Sequence, residues 1–517
     1  MSDMTHRHKR VAIIGSGISG LAYADVLTRC GFQCVLFERA PRVGGVWAHS
    51  YAGVSLQNTG YGYFISSFPW PFTPDLHPTG EQILRYLDAV VEARGFDVRL
   101  RHEVVSARER DGGWDVTVRL TGEDGCEPEE RTEWFAHLVV SIGQYTEGKH
   151  RPELPGEEDF AGRIVVERDI QDLSEFDAAR VVVVVGFGKS ALDMVTFAAE
   201  HAAEVHHVFR TPRWTLPRYI LGVHYTKLLF NRFGSVMMTN WAHPTAAERF
   251  LHRRSAFVRS FWSGLQGLFT MQARRQGRGT GAEGKARLAT VLPSHPFLPD
   301  LRSAAALAPT DYYRHVAHGT IIPHHSEMKG LTMDGLELAD GSVLPADIVV
   351  LSVGSYSPVF PFLAPEVRAL LENENDGPQL YRHVVHPSLP SLAFAGYNHG
   401  FMHVPAAEIG ALWLAALWQG KLELPSLAEM EDAVEHVRSW KRANIHFEPS
   451  RSCAVNTRFQ QYLDIMLADL GVSPYRKLPN VLAEVFSPYG PADYAGVVDD
   501  FLAHPLERRH RPSALPT

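Results

Sequence analysis

Two short apolar runs rich in β-branched residues stand out in the hydrophobic pattern of the chain. Residues 11–14 and residues 181–185 each lead into a glycine-rich turn, a helix-like stretch and another apolar run. Continuous β-branched runs are typical of strands that are buried on both faces of a parallel sheet. Two such strand–glycine–helix units predict an α/β fold with two dinucleotide-binding, Rossmann-like domains.

The later part of the chain adds further strands. Residues 347–351 and 392–396 have the pattern of buried strands, and we expect both to return to the first domain. The second domain would then be inserted in the first. Strand patterning is absent from about residue 219 to residue 309, which predicts a helical insertion.

Composition excludes several classes of protein. A chain of 517 residues, 45% hydrophobic and 21% charged, is typical of a globular protein with more than one core. The net charge of −8 argues against a nucleic-acid partner, which would need a concentrated positive surface. No apolar run is long enough to span a membrane, and 4 cysteines are too few for a disulfide framework. We therefore expect a cytoplasmic protein, whose oligomeric state the sequence does not indicate.

The first glycine-rich turn has the residues of a dinucleotide site. Gly15 suits the tight turn, Gly17 lets the backbone approach a pyrophosphate, and Gly20 lets the helix pack closely on the strand. The N-terminus of that helix attracts the pyrophosphate. Glu38, at the end of the next strand, can accept hydrogen bonds from both ribose hydroxyls and would repel a 2′-phosphate.

The second glycine-rich turn differs from the first in two places. Its candidate cofactor contacts are Gly186, Gly188, Lys189, Ser190 and Ala191, with alanine in place of the third glycine. Its second strand ends in Arg210 and Thr211 instead of an acid, and a guanidinium there suits a 2′-phosphate. A surface ion pair is the alternative role for Arg210.

A site for free ribose hydroxyls beside a site for a 2′-phosphate predicts FAD and NADPH as the cofactors. After Glu38, Gly45 lets the backbone pass close to the flavin. Val46 and Trp47 follow, and the Trp47 side chain can pack against the flavin ring. The predicted organisation is an FAD-binding domain in two parts (1–157 and 331–446), an NADPH-binding domain (158–330, including the helical insertion 219–309) and a C-terminal extension (447–517).

With these motifs the chain resembles the class B flavin-dependent monooxygenases, which include N/S-oxygenases and Baeyer–Villiger enzymes. The resemblance covers roughly residues 10–495, and it rests on residues 15–20, 38–39, 44–47, 66–71, 155–156, 186–191, 210–214 and 396–397. Residues 474–477 and 486–494 are similar to a tail seen in a subgroup with plant members. The resemblance adds Arg39 and Val105 to the cofactor contacts. It also places Gln57 and Asn58 at the reactive flavin edge as the catalytic candidates, with a turn cap as their alternative role.

The chain departs from the family pattern in the segment between the domains. Phe160 and Gly162 begin the FxGxxxH signature, but Val166 stands at the histidine position and Ile170 at the later aromatic position. Ser67 also replaces an acidic residue of the family. In the family the signature helps to couple NADPH handling to oxygen chemistry.

The resemblance implies that NADPH reduces the flavin, which then captures O₂ as a C4a-(hydro)peroxyflavin. That species survives only where water is excluded. We expect oxygenation of a small or carrier-bound biosynthetic substrate, with a lean to N-hydroxylation or other heteroatom oxygenation because the signature histidine is missing. Baeyer–Villiger oxygen insertion into a ketone is the alternative, and an uncoupled NADPH oxidase or flavin reductase is the further one.

Some features remain open at this point. Residues 273–287, rich in Gly and Arg, predict either a solvated loop or a docking surface for an acidic partner or a phosphate-bearing substrate. An aromatic set could line a substrate pocket or pack the domain seam: Tyr61, Tyr63, Phe64, Phe68 and Trp70. No metal is expected, because no histidines have the spacing of known zinc sites, and Cys30 and Cys34 are interpreted as core cysteines.

Overall fold

The computed structural model describes residues 9–120, 129–144, 148–238, 241–242, 245–304, 306–398, 400–445, 458–504, 506 and 510–512. Within them the strands are β1 (Arg10–Ile14), β2 (Gln33–Glu38), β3 (Asp97–Leu100), β4 (His102–Arg110), β5 (Gly113–Leu120), β6 (Glu130–Phe135), β7 (His137–Val140), β8 (Arg163–Val166), β9 (Val181–Val185), β10 (Glu204–Phe209), β11 (Thr215–Leu216), β12 (Tyr219–Ile220), β13 (Val223–His224), β14 (Ala306–Leu307), β15 (Ile321–His325), β16 (Met328–Thr332), β17 (Gly335–Leu338), β18 (Val343–Pro345), β19 (Ile348–Leu351), β20 (Val385–His386) and β21 (Leu389–Phe394).

The α-helices of the same residues are α1 (Ile18–Arg29), α2 (Gly80–Arg94), α3 (Lys189–His201), α4 (Tyr225–Leu229), α5 (Arg232–Val236), α6 (Ala246–Arg253), α7 (Ser255–Gln276), α8 (Gly281–Val291), α9 (Phe297–Ala304), α10 (Tyr312–His318), α11 (Pro365–Leu371), α12 (His403–Trp418), α13 (Leu427–Asn444), α14 (Phe459–Asp469), α15 (Val481–Phe486) and α16 (Val497–Ala503). None of these helices is long and apolar enough to cross a membrane.

The first sheet has the strand order β20-β21-β7-β1-β2-β3. All neighbouring strands in it are parallel except β20 and β21. The predicted strand at 392–396 overlaps β21 and lies in this sheet beside β7. Helices α1 and α12 cover one face with a continuous apolar core. The smaller antiparallel sheet β4-β5-β6 packs on the other face through residues such as Trp114.

The second sheet is entirely parallel and has the order β15-β10-β9-β19-β8. The expectation that residues 347–351 return to the first sheet is wrong, because β19 lies between β9 and β8. Ile348 is in register with Val182 on one side and with Arg163 on the other. The predicted boundary at residue 331 is therefore too early, since the second sheet continues to Leu351. A buried-strand pattern shows that a strand has two covered faces, but it does not identify the neighbouring strands.

The segment from α4 to α9 is mostly helical and has its own apolar core around Trp262 and Phe297. Residues 273–287 are not a loop: they form the end of α7, a short turn and the start of α8. Gly284 is buried, and a β-carbon on it would lie 2.5 Å from the carbonyl oxygen of Ala317. The glycine therefore allows α8 to pack closely against α10.

The C-terminal extension packs on the helical insertion through a half-buried cation. Arg232 of α5 pairs with Asp464 of α14 at 2.6 Å and also contacts Glu484 of α15.

At the other end of the chain, Cys30 is buried and Cys34 half-buried, both as free thiols in the core beside α1. Cys126 and Cys453 lie outside the described residues.

Candidate functional site

Two cavities meet above the turn that joins β1 to α1. The larger has a volume of about 370 Å³ and the smaller about 140 Å³. Both are lined by Gly17, Gly45, Ser141 and Ile142, so they form one elongated cleft across the carboxyl end of the first sheet. Ligands of open α/β sheets bind at this edge.

The first glycine turn forms the floor of the cleft. Gly15 has φ +105°, and a β-carbon on it would lie 2.4 Å from the carbonyl oxygen of Ser141. Gly17 and Gly45 approach so closely that a β-carbon on Gly45 would lie 3.0 Å from the Cα of Gly17. Gly17 is the N-cap of α1, and Gly20 lies in its first turn. The helix N-terminus therefore faces the cleft with bare backbone, which suits a pyrophosphate.

Glu38 lies at the end of β2 and lines the smaller cavity together with Arg39. One carboxylate oxygen accepts hydrogen bonds from the amide and hydroxyl of Ser16 at 3.0 and 2.9 Å, and the other accepts one from the amide of Ala40 at 2.9 Å. These donors fix the carboxylate beside the turn. Val104, rather than its neighbour Val105, lines this cavity, because the register of β4 shifts between Val104 and Ser106.

A linked set of aromatic and polar side chains lines the larger cavity. Trp47, in the turn Gly45–His49 that also contains Val46, donates from its indole nitrogen to the hydroxyl of Tyr63 at 3.0 Å. Tyr63 stacks on His403, whose Nε2 lies 3.1 Å from the hydroxyl oxygen of Ser19. Burial lowers the pKa of His403 to about 4, so its ring is neutral near pH 7.

Gln57 and Asn58 both line the larger cavity, but their side chains are held differently. The amide nitrogen of Asn58 donates to the carbonyl of Phe401 at 2.9 Å, and its oxygen accepts from the amide of Thr59 at 2.8 Å. Asn58 thus contributes to the local turn. The side-chain oxygen of Gln57 accepts from the amide of Leu307 at 2.8 Å, across the boundary with the helical insertion.

Gln144 indicates that the cleft is built for a polar ligand. Its side chain is buried at the cavity wall, and neither of its amide atoms has a partner among the described residues. A buried amide without hydrogen bonds is costly, which a bound polar group would relieve. With Glu38 and the exposed backbone of the glycine turn, the cleft has the donors and acceptors that FAD requires.

The rest of the larger cavity is apolar. This wall is formed by Leu56, Leu216, Phe230, Leu307 and Phe401, and two of these, Phe230 and Leu307, come from the helical insertion. Among the described residues that line the cavity there is no Asp, Glu, Lys or Arg. The site therefore disfavours water and charged groups.

The second glycine turn repeats the geometry of the first. Gly186 follows β9 with φ +128°, and a β-carbon on it would lie 2.3 Å from the carbonyl oxygen of Ser352. Gly188 caps α3, whose first turn contains Lys189, Ser190 and Ala191. Arg210 and Thr211 are exposed directly after β10, beside the end of this turn.

The two glycine turns belong to sheets that contact each other near α3. The hydroxyl of Tyr51 donates to Asp193 at 2.8 Å, and Lys189 pairs with the same carboxylate. The amide of Ala52 donates to the carbonyl of Ile170 at 2.9 Å. Ile170 is fully buried, so its side chain packs inside the second domain while its backbone joins the first.

The predicted aromatic set divides between the two alternatives. Tyr63 lines the larger cavity, whereas Tyr61 is 80% exposed. Phe68 and Trp70 pack against Tyr86 of α2, with ring centroids 6.1 and 4.5 Å apart, and so belong to the domain core. His403, Gln144 and the insertion residues of the apolar wall are absent from the sequence prediction, because only the fold brings them to the turn.

Two sheets whose glycine turns each join parallel strands at the carboxyl edge define a two-dinucleotide oxidoreductase fold. Residues 8–259 match the family model described as flavin-binding monooxygenase-like (FMO-like). This match and the relatives below confirm the resemblance to the class B flavin-dependent monooxygenases, a family that uses FAD and NADPH.

Individual relatives match over nearly the whole chain. Probable flavin-containing monooxygenase 1 of Arabidopsis thaliana is 29% identical, over 94% of this chain and 96% of that protein. Dimethylaniline monooxygenase (N-oxide-forming) 2 of Rattus norvegicus is 27% identical, over 90% of this chain and 83% of that protein. The polycyclic ketone monooxygenase of Thermothelomyces thermophila shares the fold with a TM-score of 0.65 and 15% identity, over 96% of this chain and 88% of that one.

Proposed function

We propose that the chain binds FAD along the two joined cavities and NADPH at the second glycine turn, and that it uses O₂ to oxygenate the nitrogen or sulfur of a small, uncharged substrate. The observation that carries the proposal is the larger cavity. It adjoins the first glycine turn, its described lining has no charged side chain, and Gln57 provides an amide at its wall. Heteroatom oxygenation balances as substrate, O₂, NADPH and H⁺ giving the oxidised substrate, H₂O and NADP⁺.

Each part of the cleft has a distinct role in this proposal. Glu38 would accept hydrogen bonds from the ribose, and the N-terminus of α1 would hold the pyrophosphate. Gln144, at the wall of the larger cavity, would donate to the polar edge of the flavin. Bound FAD, reduced by NADPH, supplies the activated oxygen; the protein supplies position and a dry wall.

The lining favours heteroatom oxygenation over attack on a ketone. An anionic oxygen nucleophile would need a nearby positive charge, but the described lining has no Lys or Arg, and His403 is neutral. Neutral donors such as the amide of Gln57 suit a protonated, electrophilic oxidant. The N-oxide-forming relative from rat is consistent with this chemistry.

A matched substrate panel tests the proposal. The purified holoenzyme is incubated with NADPH and, separately, with benzyl methyl sulfide, N,N-dimethylbenzylamine and phenylacetone, and the products are identified by mass and fragmentation. We expect the sulfoxide or the N-oxide, together with NADPH consumption. Ester from the ketone without oxidation of the sulfide or amine would reverse the preference, and H₂O₂ equal to NADPH with every substrate would indicate an uncoupled oxidase.

A further inference from the structure

The segment that contains Gln57 is held by the helical insertion at two atoms. The hydroxyl of Tyr225, at the start of α4, donates to the backbone carbonyl of Gln57 at 2.6 Å. The amide of Leu307, in β14, donates to the side-chain oxygen of Gln57 at 2.8 Å. Tyr225 is 2% exposed, so this contact is shielded from solvent.

The second contact determines which end of the Gln57 amide faces the cavity. The Leu307 nitrogen is a backbone donor, so the atom that it meets must be the carbonyl oxygen of the side chain. The Gln57 Nε2 then turns away from Leu307, and it has no acceptor among the described residues. Asn58 is different, because its amide nitrogen is used by the carbonyl of Phe401. Gln57 therefore presents a hydrogen-bond donor to the larger cavity.

A pair of histidines, His77 and His224, joins the Gln57 segment to the helical insertion at the same place, and we call this contact region the junction. Nδ1 of His77 lies 3.1 Å from the carbonyl oxygen of Leu56 and 3.0 Å from that of Asn58, so it must carry a proton. Nε2 of His77 lies 3.3 Å from Nε2 of His224, and Nδ1 of His224 lies 2.8 Å from the hydroxyl oxygen of Thr226. All contacts are satisfied when both rings are neutral and His224 donates to His77.

A single added proton can sit on Nδ1 of His224, where the Thr226 hydroxyl oxygen accepts it, and the contact survives. The contact breaks when both rings are cationic, because two N–H groups then face each other. The charged groups near the pair are Arg218 and Lys227, both cations, and the rings of Tyr219 and Tyr225 pack on His224. Burial and Arg218 lower the pKa of His77, and burial, His77 and these cations lower that of His224. The closed junction is therefore the form at neutral pH and is lost as the pH falls.

We propose that the helical insertion positions Gln57 as a donor at the flavin edge through Tyr225 and Leu307, and that the His77–His224 contact releases this positioning in acid. The inference rests on the proposed function, since it assigns Gln57 to the flavin edge. An open junction would admit water to the apolar cavity, and NADPH, H⁺ and O₂ would then give NADP⁺ and H₂O₂ without oxygenation of the substrate.

The first test removes one hydroxyl. Tyr225→Phe and wild-type holoenzymes are reduced with NADPH without oxygen and mixed with aerated buffer, and H₂O₂ release is followed. Tyr61→Phe is the matched control, because Tyr61 is 80% exposed. We expect release about fivefold faster in Tyr225→Phe, as the loss of one hydrogen bond implies, with flavin reduction unchanged. Equal release in Tyr225→Phe and wild type would overturn the inference.

A double-mutant cycle separates positioning from general damage. If Tyr225 acts through Gln57, the variant Gln57→Leu/Tyr225→Phe should release H₂O₂ no faster than Gln57→Leu alone. Additive effects would show that Tyr225 acts by another route. If NADPH fails to reduce the flavin of the wild type, the proposed function itself is lost; a reducible wild type with unchanged variants removes only the inference.

The pH dependence tests the histidine pair. We expect H₂O₂ release by the wild type to rise as the pH falls below about 6.5, the ordinary pKa of histidine, because the pKa values of both rings are lowered. Release by His224→Gln should stay level, since glutamine keeps a hydrogen bond but cannot become cationic. Parallel profiles for the two proteins would exclude the pair as the acid-sensitive part of the junction.

Discussion

The carbonyl oxygens of Ser141 and Ser352 occupy corresponding places in the two sheets. Each serine follows a strand next to the one that precedes a glycine turn, β7 beside β1 and β19 beside β9. A β-carbon on Gly15 would lie 2.4 Å from the carbonyl oxygen of Ser141. A β-carbon on Gly186 would lie 2.3 Å from the carbonyl oxygen of Ser352. In both glycine turns, therefore, the carbonyl group after the neighbouring strand leaves no room for a side chain on the first glycine.

This relationship predicts the effect of adding one methyl group. Gly15→Ala should be destabilised by about 2 kcal/mol or more and should lose FAD, because φ is positive and the β-carbon meets backbone. Gly188→Ala is the control, since its β-carbon would meet no atom within 4 Å. Thermal denaturation and the flavin content of the purified proteins measure both. A yellow Gly15→Ala protein with the melting temperature of the wild type would contradict the prediction.

Arg210 should determine the choice of nicotinamide cofactor. It is exposed at the end of β10, where a 2′-phosphate would lie, so Arg210→Gln should raise the KM for NADPH at least about tenfold and leave that for NADH nearly unchanged. Arg180→Gln is the control, because Arg180 is also exposed but precedes β9, at the opposite end of the sheet. Similar increases in both variants would point to a loss of net charge instead of a phosphate contact.

Glu408 should make the protein less stable as the pH rises toward 8. It is buried on α12, accepts hydrogen bonds from the amide and hydroxyl of Ser66 at 3.0 and 2.6 Å, and has its pKa raised to about 8 by burial. Between about pH 4.5 and 8 the folded state holds a proton that the unfolded state has lost, so the free energy of unfolding falls as the pH rises, by about 1.4 kcal/mol per pH unit.

Glu408→Gln should abolish this dependence, because the amide is neutral at every pH. Denaturant titrations should show the variant more stable than the wild type at pH 8, with the difference shrinking toward pH 4.5. A constant difference across this range would mean that the carboxyl group does not titrate in the folded protein.

His207 should make the protein less stable as the pH falls below about 6.5. Its ring is fully buried, with Nε2 at 2.7 Å from the carbonyl oxygen of Gly186 and Nδ1 at 2.9 Å from the hydroxyl oxygen of Tyr312, and burial lowers its pKa to about 4. Only the unfolded state takes up this proton between about pH 6.5 and 4, so stability is lost as the pH falls through that range.

His207→Gln isolates this contribution from those of the other histidines. The slope of unfolding free energy against pH should be smaller than that of the wild type by about 1.4 kcal/mol per pH unit in this range. His504→Gln serves as the control, because His504 is exposed after α16. Identical slopes for wild type and His207→Gln would refute the assignment.

The sequence predicts the parts of the site that are local in the chain. Gly15, Gly17 and Glu38 lie within one β–α–β unit, whose spacing alone places them at one sheet edge. His403 and Gln144 escape prediction, because each reaches the cavity through strand pairings that no short motif records.

Two predictions failed where a pattern has more than one structural meaning. The apolar run at 347–351 indicates a buried strand in either sheet, and only the pairing of β19 with β8 and β9 decides between them. The Gly- and Arg-rich residues 273–287 are typical of a loop, one of the two interpretations of that segment, but a missing side chain also permits close helix packing, as Gly284 does against Ala317.

The path of the chain through the first sheet has a consequence for biosynthesis. Strands β7 and β21 are parallel neighbours, so the chain must cross over between them, and the whole second sheet and helical insertion form that crossover. Gly396, Phe401 and His403 line the larger cavity, and all follow β21. When the glycine turn after β1 has been translated, therefore, only the floor of the flavin cleft has been made. The cofactor can be fully enclosed only after His403 has been translated and α12 has docked.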